Sequence, residues 1–110
     1  MNYSKKNDFI IFELGKEIDA MNSMQLKIEL VKKIESEEYN KFIINLADTT
    51  YIDSSGIGLF VNLYKVCKAQ KKSMYILNPK ENVLKVFQMT NLTNLFNICS
   101  SITEIENKEI

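Results

Sequence analysis

The sequence predicts an α/β fold built on a mixed sheet, and three observations carry that prediction. Residues 42–46, FIINL, form a short, nearly continuous apolar run of the kind that makes a strand buried on both faces. Segments with helical spacing of apolar residues alternate along the chain with this run and with a second one, MYIL at 74–77. The N-terminus reads as a hairpin, which makes the sheet mixed rather than purely parallel.

The elements follow in order. Tyr3 to Lys5 and Phe9 to Leu14 flank a polar Lys6-Asn7-Asp8 turn, and β-branched and aromatic residues on both sides of an Asn-Asp pair favour a hairpin that Gly15 ends. From Asp19 to about Glu38 the spacing is helical: Leu26, Leu30, Val31 and Ile34 share one side, with Met24 and Ile28 widening the buried arc. Asp19 or Asn22 serves as its cap. After the 42–46 strand comes a loop, Ala47 to Asp53, and then a second helix from about Ser54 to Gln70. Gly56, Phe60, Leu63 and Cys67 run along one line of it, flanked by Leu59, Val66, Ile57 and Tyr64, while Gly58, Asn62, Lys65 and Ala69 face outward.

Lys71-Lys72-Ser73 breaks the pattern before the 74–77 strand. Pro79 introduces a third helix, Glu81 to Met89, with Val83, Leu84, Val86 and Phe87 inward. Thr90-Asn91 ends it, asparagine being the best non-glycine residue for a left-handed stop. Leu92 to Cys99 holds a helical turn and a last strand, and 103–110, with Glu104, Glu106 and Glu109, reads as a frayed helix or a disordered end. The chain of 110 residues, 45% of them apolar, fits one domain spanning 1–110.

Composition narrows the function. Fourteen basic and 14 acidic residues leave no excess charge to neutralise phosphates, so nucleic acid is excluded as a partner. The apolar run after the N-terminal lysines is four residues, too short for a leader or a membrane span, which gives a cytoplasmic address. The absence of histidine removes the commonest general base and most transition-metal sites. Cys67 and Cys99 lack metal-ligand spacing and read as core residues. No metal and no cofactor are expected.

The stretch YIDSSGIGLF, 51–60, carries two of the three glycines and two hydroxyls beside a carboxylate, at a strand-to-helix junction where α/β folds place their sites. A phosphate cradle would need Gly-x-x-x-x-Gly-Lys or Gly-x-Gly-x-x-Gly, and only Gly56-Ile57-Gly58 is present, which leaves a nucleotide-binding domain as a remote alternative. A serine nucleophile elbow would need Gly-x-Ser-x-Gly and a histidine, so the chain is not read as an enzyme. Asp53 or Ser54 capping the second helix accounts for part of the motif. Gly56 and Gly58 each cost about 1 kcal/mol in a helix relative to alanine, which points to a close approach there. A serine at a helix start also suits phosphorylation, because the positive helix end and its N–H groups accept the added charge.

The run Ile52-Asp53-Ser54-Ser55-Gly56-Ile57-Gly58, with Leu46 upstream, resembles the motif of bacterial anti-sigma factor antagonists (anti-anti-sigma factors), the single-domain STAS proteins. The likeness extends from the hairpin and its Gly15-Lys16-Glu17-Ile18-Asp19 exit to Asn78-Pro79 and Thr90-Asn91-Leu92. It implies a mixed sheet of four to five strands with helices mainly on one face. It also implies a partner-switching, monomeric phosphoprotein of transcription regulation. The unphosphorylated form binds an anti-sigma factor/serine kinase of GHKL type and frees a sigma factor; the kinase phosphorylates the motif serine, and a serine phosphatase resets it. By motif position the acceptor is Ser54, with Ser55 second. Asp53 holds the loop, and Asp19 matches an acidic residue at the partner surface. Gly56, Ile57, Gly58, Val61, Asn62 and Lys65 complete the expected contact face. Lys16 and Asn91 stand where the family has glycine. A STAS module scaffolding another signalling complex is the alternative within the same family.

Overall fold

The computed structural model describes residues 1–6 and 8–107. Strands β1 (Asn2–Lys6) and β2 (Phe9–Glu13) form the expected antiparallel hairpin, with Tyr3 opposite Phe12 and Lys6 opposite Phe9; Asn7 of its turn lies outside the described residues. A two-residue strand β3 (Glu17–Ile18) and helix α1 (Ser23–Ser36) lead to β4 (Lys41–Asn45). A second short strand, β5 (Tyr51–Ile52), precedes α2 (Ser54–Ala69) and β6 (Ser73–Leu77). Helix α3 (Glu81–Met89), β7 (Asn97–Cys99) and α4 (Ile102–Asn107) follow. The main sheet has the order β1-β2-β4-β6-β7, and every pairing after the hairpin is parallel. The fold is therefore α/β with a mixed five-stranded sheet, as the sequence predicts.

Strand alternation sorts the core into two layers. Ile10, Phe12, Phe42, Ile44, Met74 and Ile76 point to one face and pack against Leu26, Leu30 and Ile34 of α1, Phe60 and Leu63 of α2, and Val83 and Phe87 of α3. On the other face Phe9, Ile43, Tyr75, Leu77 and Cys99 pack against Ile105 of α4. Of the two alternatives for the tail, the helical one holds over 102–107, and the helix is docked on the sheet rather than frayed, with Ile105 fully buried. Its start is held by the carboxylate of Glu104, which accepts from the Ser100 amide at 3.0 Å and the Ser100 hydroxyl at 2.9 Å. Residues 108–110 lie outside the described residues.

Met24 and Ile28 do not extend the buried arc of α1: they are 66% and 53% exposed, because Leu26, Leu30 and Ile34 already span the width of the contact with the sheet and α2. Asn22 occupies the N-cap position of α1 without capping it; its side chain instead accepts from the Asp19 amide at 3.0 Å and donates to the Glu17 carbonyl at 2.7 Å. At the far end of α1 the Lys72 ammonium donates to the carbonyls of Ile34 and Glu37, placing a cation where the helix dipole is negative. Asn91 adopts the left-handed conformation expected of it, φ 59°.

Both cysteines are buried and neither forms a disulfide. Burial pushes the Cys67 thiol up to about 11, against a small opposing pull from Lys72. A thiol raised in the folded state keeps its stabilising effect below the unfolded-state value and loses it as pH climbs toward the folded one. Stability should therefore fall between about pH 9 and pH 11, on the order of 2 to 3 kcal/mol. Urea midpoints across that window, compared with those of Cys67→Ala, check it through the difference between the two chains; parallel curves would refute it.

Candidate functional site

The site is assembled by two loops that leave the carboxyl ends of β2 and β4. Gly15 takes φ +111°, a left-handed value that favours glycine, and turns the chain into β3. The carbonyl of Lys16 then accepts from the amides of Thr50 at 2.8 Å and Tyr51 at 3.2 Å, and buried Thr49 donates its hydroxyl to the Gly15 carbonyl at 2.8 Å. These bonds bring β3 and β5 together as a parallel pair, Glu17 beside Tyr51 and Ile18 beside Ile52. The glycine that the turn needs is Gly15, so Lys16 is free to be a lysine. Asn82 of α3 ties the same loop down by donating to the Thr50 carbonyl at 2.7 Å.

Asp53 ends β5 and caps α2. One carboxylate oxygen accepts from the amides of Ser55 at 2.9 Å and Gly56 at 3.1 Å, and the other accepts from the Ala20 amide at 3.3 Å. A single side chain thus joins the start of α2 to the loop before α1. Asp19 belongs to that loop, where its own carboxylate accepts from the Met21 amide at 2.9 Å. Ser54, the first residue of α2, is exposed, whereas Ser55 is half-buried. The amides expected to be open to a phosphate are in use: Asp53 holds those of Ser55 and Gly56 through its side chain and that of Ile57 through its carbonyl at 3.0 Å.

The two glycines play different parts. A Cβ at Gly56 would lie 2.6 Å from Ile52 Cγ1 and 2.8 Å from the Ile18 carbonyl oxygen, so the helix start sits directly on the β3–β5 pair. Gly56→Ala should therefore cost about 1 to 3 kcal/mol by overpacking, less the roughly 1 kcal/mol gained in helix propensity. Chemical denaturation checks the sign; a stabilised variant would mean that Ile52 yields freely. At Gly58 a Cβ would meet nothing within 4 Å, so the close approach expected there is absent within the chain and the helix surface is open.

Of the residues singled out by sequence, Asp19, Asp53, Ser54 and Ser55 meet at one end of the molecule. Gly58, Asn62 and Lys65 continue from them along α2, with Asn62 donating to the Gly58 carbonyl at 3.0 Å. Val61 is half-buried beside them. Gly56 and Ile57 turn inward, the latter 8% exposed. Tyr64 flanks the core, edge-on to Phe96 with ring centroids 6.1 Å apart. The α1 side of the site carries no sequence motif: Ser23, Met24 and Lys27 face Ser55, Gly58 and Asn62 across a groove. Among the described residues no group of three His, Cys, Asp or Glu side chains could hold a metal ion, and no helix is long and apolar enough to cross a membrane.

The profile of the STAS domain matches residues 1–105. The chain belongs to the STAS family. The STAS protein of Staphylococcus epidermidis described as an anti-sigma-B factor antagonist is 32% identical over 100 residues, covering 91% of each chain. A candidate anti-sigma factor antagonist of Thermotoga maritima has the same fold with a TM-score of 0.90 at 27% identity, over 97% of this chain and 92% of that one. The anti-sigma factor antagonist SpoIIAA in its unphosphorylated form shares the STAS fold with a TM-score of 0.82 at 22% identity, over 97% and 93% of the two chains. Curated relatives of this STAS protein are thus anti-sigma factor antagonists, and the exposed serine stands where the strand, loop and helix of the motif converge.

Proposed function

We propose that the chain is a cytoplasmic anti-sigma factor antagonist whose unphosphorylated form binds an anti-sigma factor with serine-kinase activity, frees a sigma factor, and is released by phosphorylation at Ser54. The observation that carries this reading is the placement of Ser54: exposed, first in α2, and beside a carboxylate that already holds the loop in shape. A kinase reaches the Ser54 hydroxyl without unfolding anything, whereas Ser55 is partly shielded and its amide is engaged. Phosphate adds about −1.5 to −2 charges next to Asp53, so it projects toward an approaching partner rather than into the helix start. The relatives described as anti-sigma-B factor antagonists support the same reading. The chain acts as a monomer and depends on a separate phosphatase for reset.

Intact-mass spectrometry after incubation with Mg-ATP and the kinase encoded by the same organism tests it. One added phosphate, lost in Ser54→Ala and retained in Ser55→Ala, is the expected result. No added phosphate, or one that persists in Ser54→Ala, would overturn the assignment.

A further inference from the structure

A cavity of about 480 Å³ opens at the carboxyl ends of the parallel strands, between the segments that follow β2, β4 and β6. Small-molecule sites in α/β folds lie at such strand ends and occupy roughly 300 to 1,000 Å³. Four charged side chains line it, the carboxylates of Glu13 and Asp48 and the ammonium groups of Lys16 and Lys80. Opposite charges share the cavity, yet none of the four side chains forms an ion pair or hydrogen bond with any described residue. A ligand bearing both signs therefore has no internal salt bridge to break. Asn45 lies directly beside Glu13 in the β2–β4 register. Its Oδ1 accepts from the Ala47 amide at 3.0 Å, which leaves the Nδ2 group of this lining residue to donate.

We propose that the cavity binds a free peptide of two or three residues, with its ammonium end on Glu13, its carboxylate on Lys80 and a peptide carbonyl on Asn45 Nδ2. Spacing supports the length. Glu13 ends β2 and Lys80 follows β6, with β4 between them, so the two anchor points stand about 10 Å apart. An extended dipeptide spans about 7 Å and a tripeptide about 10 Å, and the long Lys80 side chain covers the difference. A single amino acid carries both charges on one carbon and cannot reach both strands. Charge excludes a polyphosphate: even with an amino group at Met1 counted, three positive groups face two carboxylates, a near balance that suits a zwitterion and not a polyanion. Lys16 and Thr50 of the cavity wall are joined by the bonds that set β3 beside β5, so a bound peptide also steadies the seat of α2. The site stands independently of the role proposed for Ser54.

Calorimetric titration of L-alanyl-L-alanine and L-alanyl-L-alanyl-L-alanine into the full chain tests this. At least one should bind saturably, and Glu13→Gln and Lys80→Gln should each weaken that binding about fivefold or more. The same peptide acetylated at one end and amidated at the other should bind about tenfold or more weakly, since both charges are gone. Lys85→Gln, on the exposed side of α3, should bind as the parent does. All three variants should give the parent's circular dichroism, because each changes an exposed side chain. Amide exchange at Thr50 and Tyr51, whose N–H groups bond to Lys16, should slow severalfold with peptide bound. No saturable binding of either peptide up to about 10 mM, where any remaining affinity is weaker than about 3 kcal/mol, would overturn the site. Equal binding of the blocked peptide, or parent-like affinity of both Glu13→Gln and Lys80→Gln, would overturn it as well. L-alanine binding as tightly as the peptides would overturn the two-ended anchoring, and ATP binding more tightly than either would make the cavity a polyanion site.

Discussion

Ser54→Asp is expected to leave the chain folded while weakening its binding to the cognate anti-sigma factor by roughly a hundredfold or more, the equivalent of about 3 kcal/mol. The fold survives because the position is exposed and stands at the positive end of α2, where a carboxylate is tolerated. Binding fails because a charge in the middle of a partner-covered surface loses its water without gaining a counter-ion, and Asp53 beside it adds a second negative charge. Ser54→Ala should bind as the parent does. It also costs no cap, since the cap is Asp53 and not the serine. Calorimetric titration of the two variants, with thermal melts run alongside, separates lost binding from lost structure. Equal affinity of Ser54→Asp and the parent would remove the serine from the switch.

Phe60→Ala should have the largest effect on stability. Phe60 is fully buried in mid-α2, its ring 5.6 Å from that of Phe87 on α3 and 6.4 Å from that of Phe96 ahead of β7. Removing it takes away a ring shared by three segments and leaves a cavity that helices fixed to a sheet close only in part. The expected loss is about 3 to 5 kcal/mol, a large share of the roughly 5 to 15 kcal/mol that holds a domain of this size together. The melting temperature should drop on the order of 15 °C or more. A loss below about 1 kcal/mol would mean that α3 slides inward to refill the space. Because α2 carries Ser54 at its start, the variant should also be a poorer kinase substrate near its melting temperature.

The sequence revealed what repeats and missed what is local. The alternation of apolar runs with helical spacing specified the sheet, its hairpin and three helices, and Asn91 marked its own left-handed turn. The strands β3 and β5 are two residues each, too short for any periodicity to show, yet they are the seat on which Gly56 rests. Met24 and Ile28 look like core on a helical wheel, because a pattern of apolar residues does not distinguish a face turned to the sheet from one left open. For α4 the apolar signal was two isoleucines among acidic residues, and only the three-dimensional position of Ile105 over the sheet makes it a core residue. The motif residues were legible; the bond from Asp53 to Ala20, linking positions 33 apart, was not.

The placement of α4 has a consequence for synthesis on the ribosome. The parallel strands β2, β4, β6 and β7 lie in space in the order in which they are translated, so the sheet can grow by adding each new strand to the edge of those already formed. Helices α1, α2 and α3 cover one face as it grows, because each is made together with the strands it connects. The other face waits for α4, which follows every strand in the chain. Phe9, Ile43 and Tyr75 are therefore left open to solvent in the nascent chain for a time on the order of seconds. That interval is when the growing chain offers a holding chaperone an apolar sheet surface, and six residues later remove it.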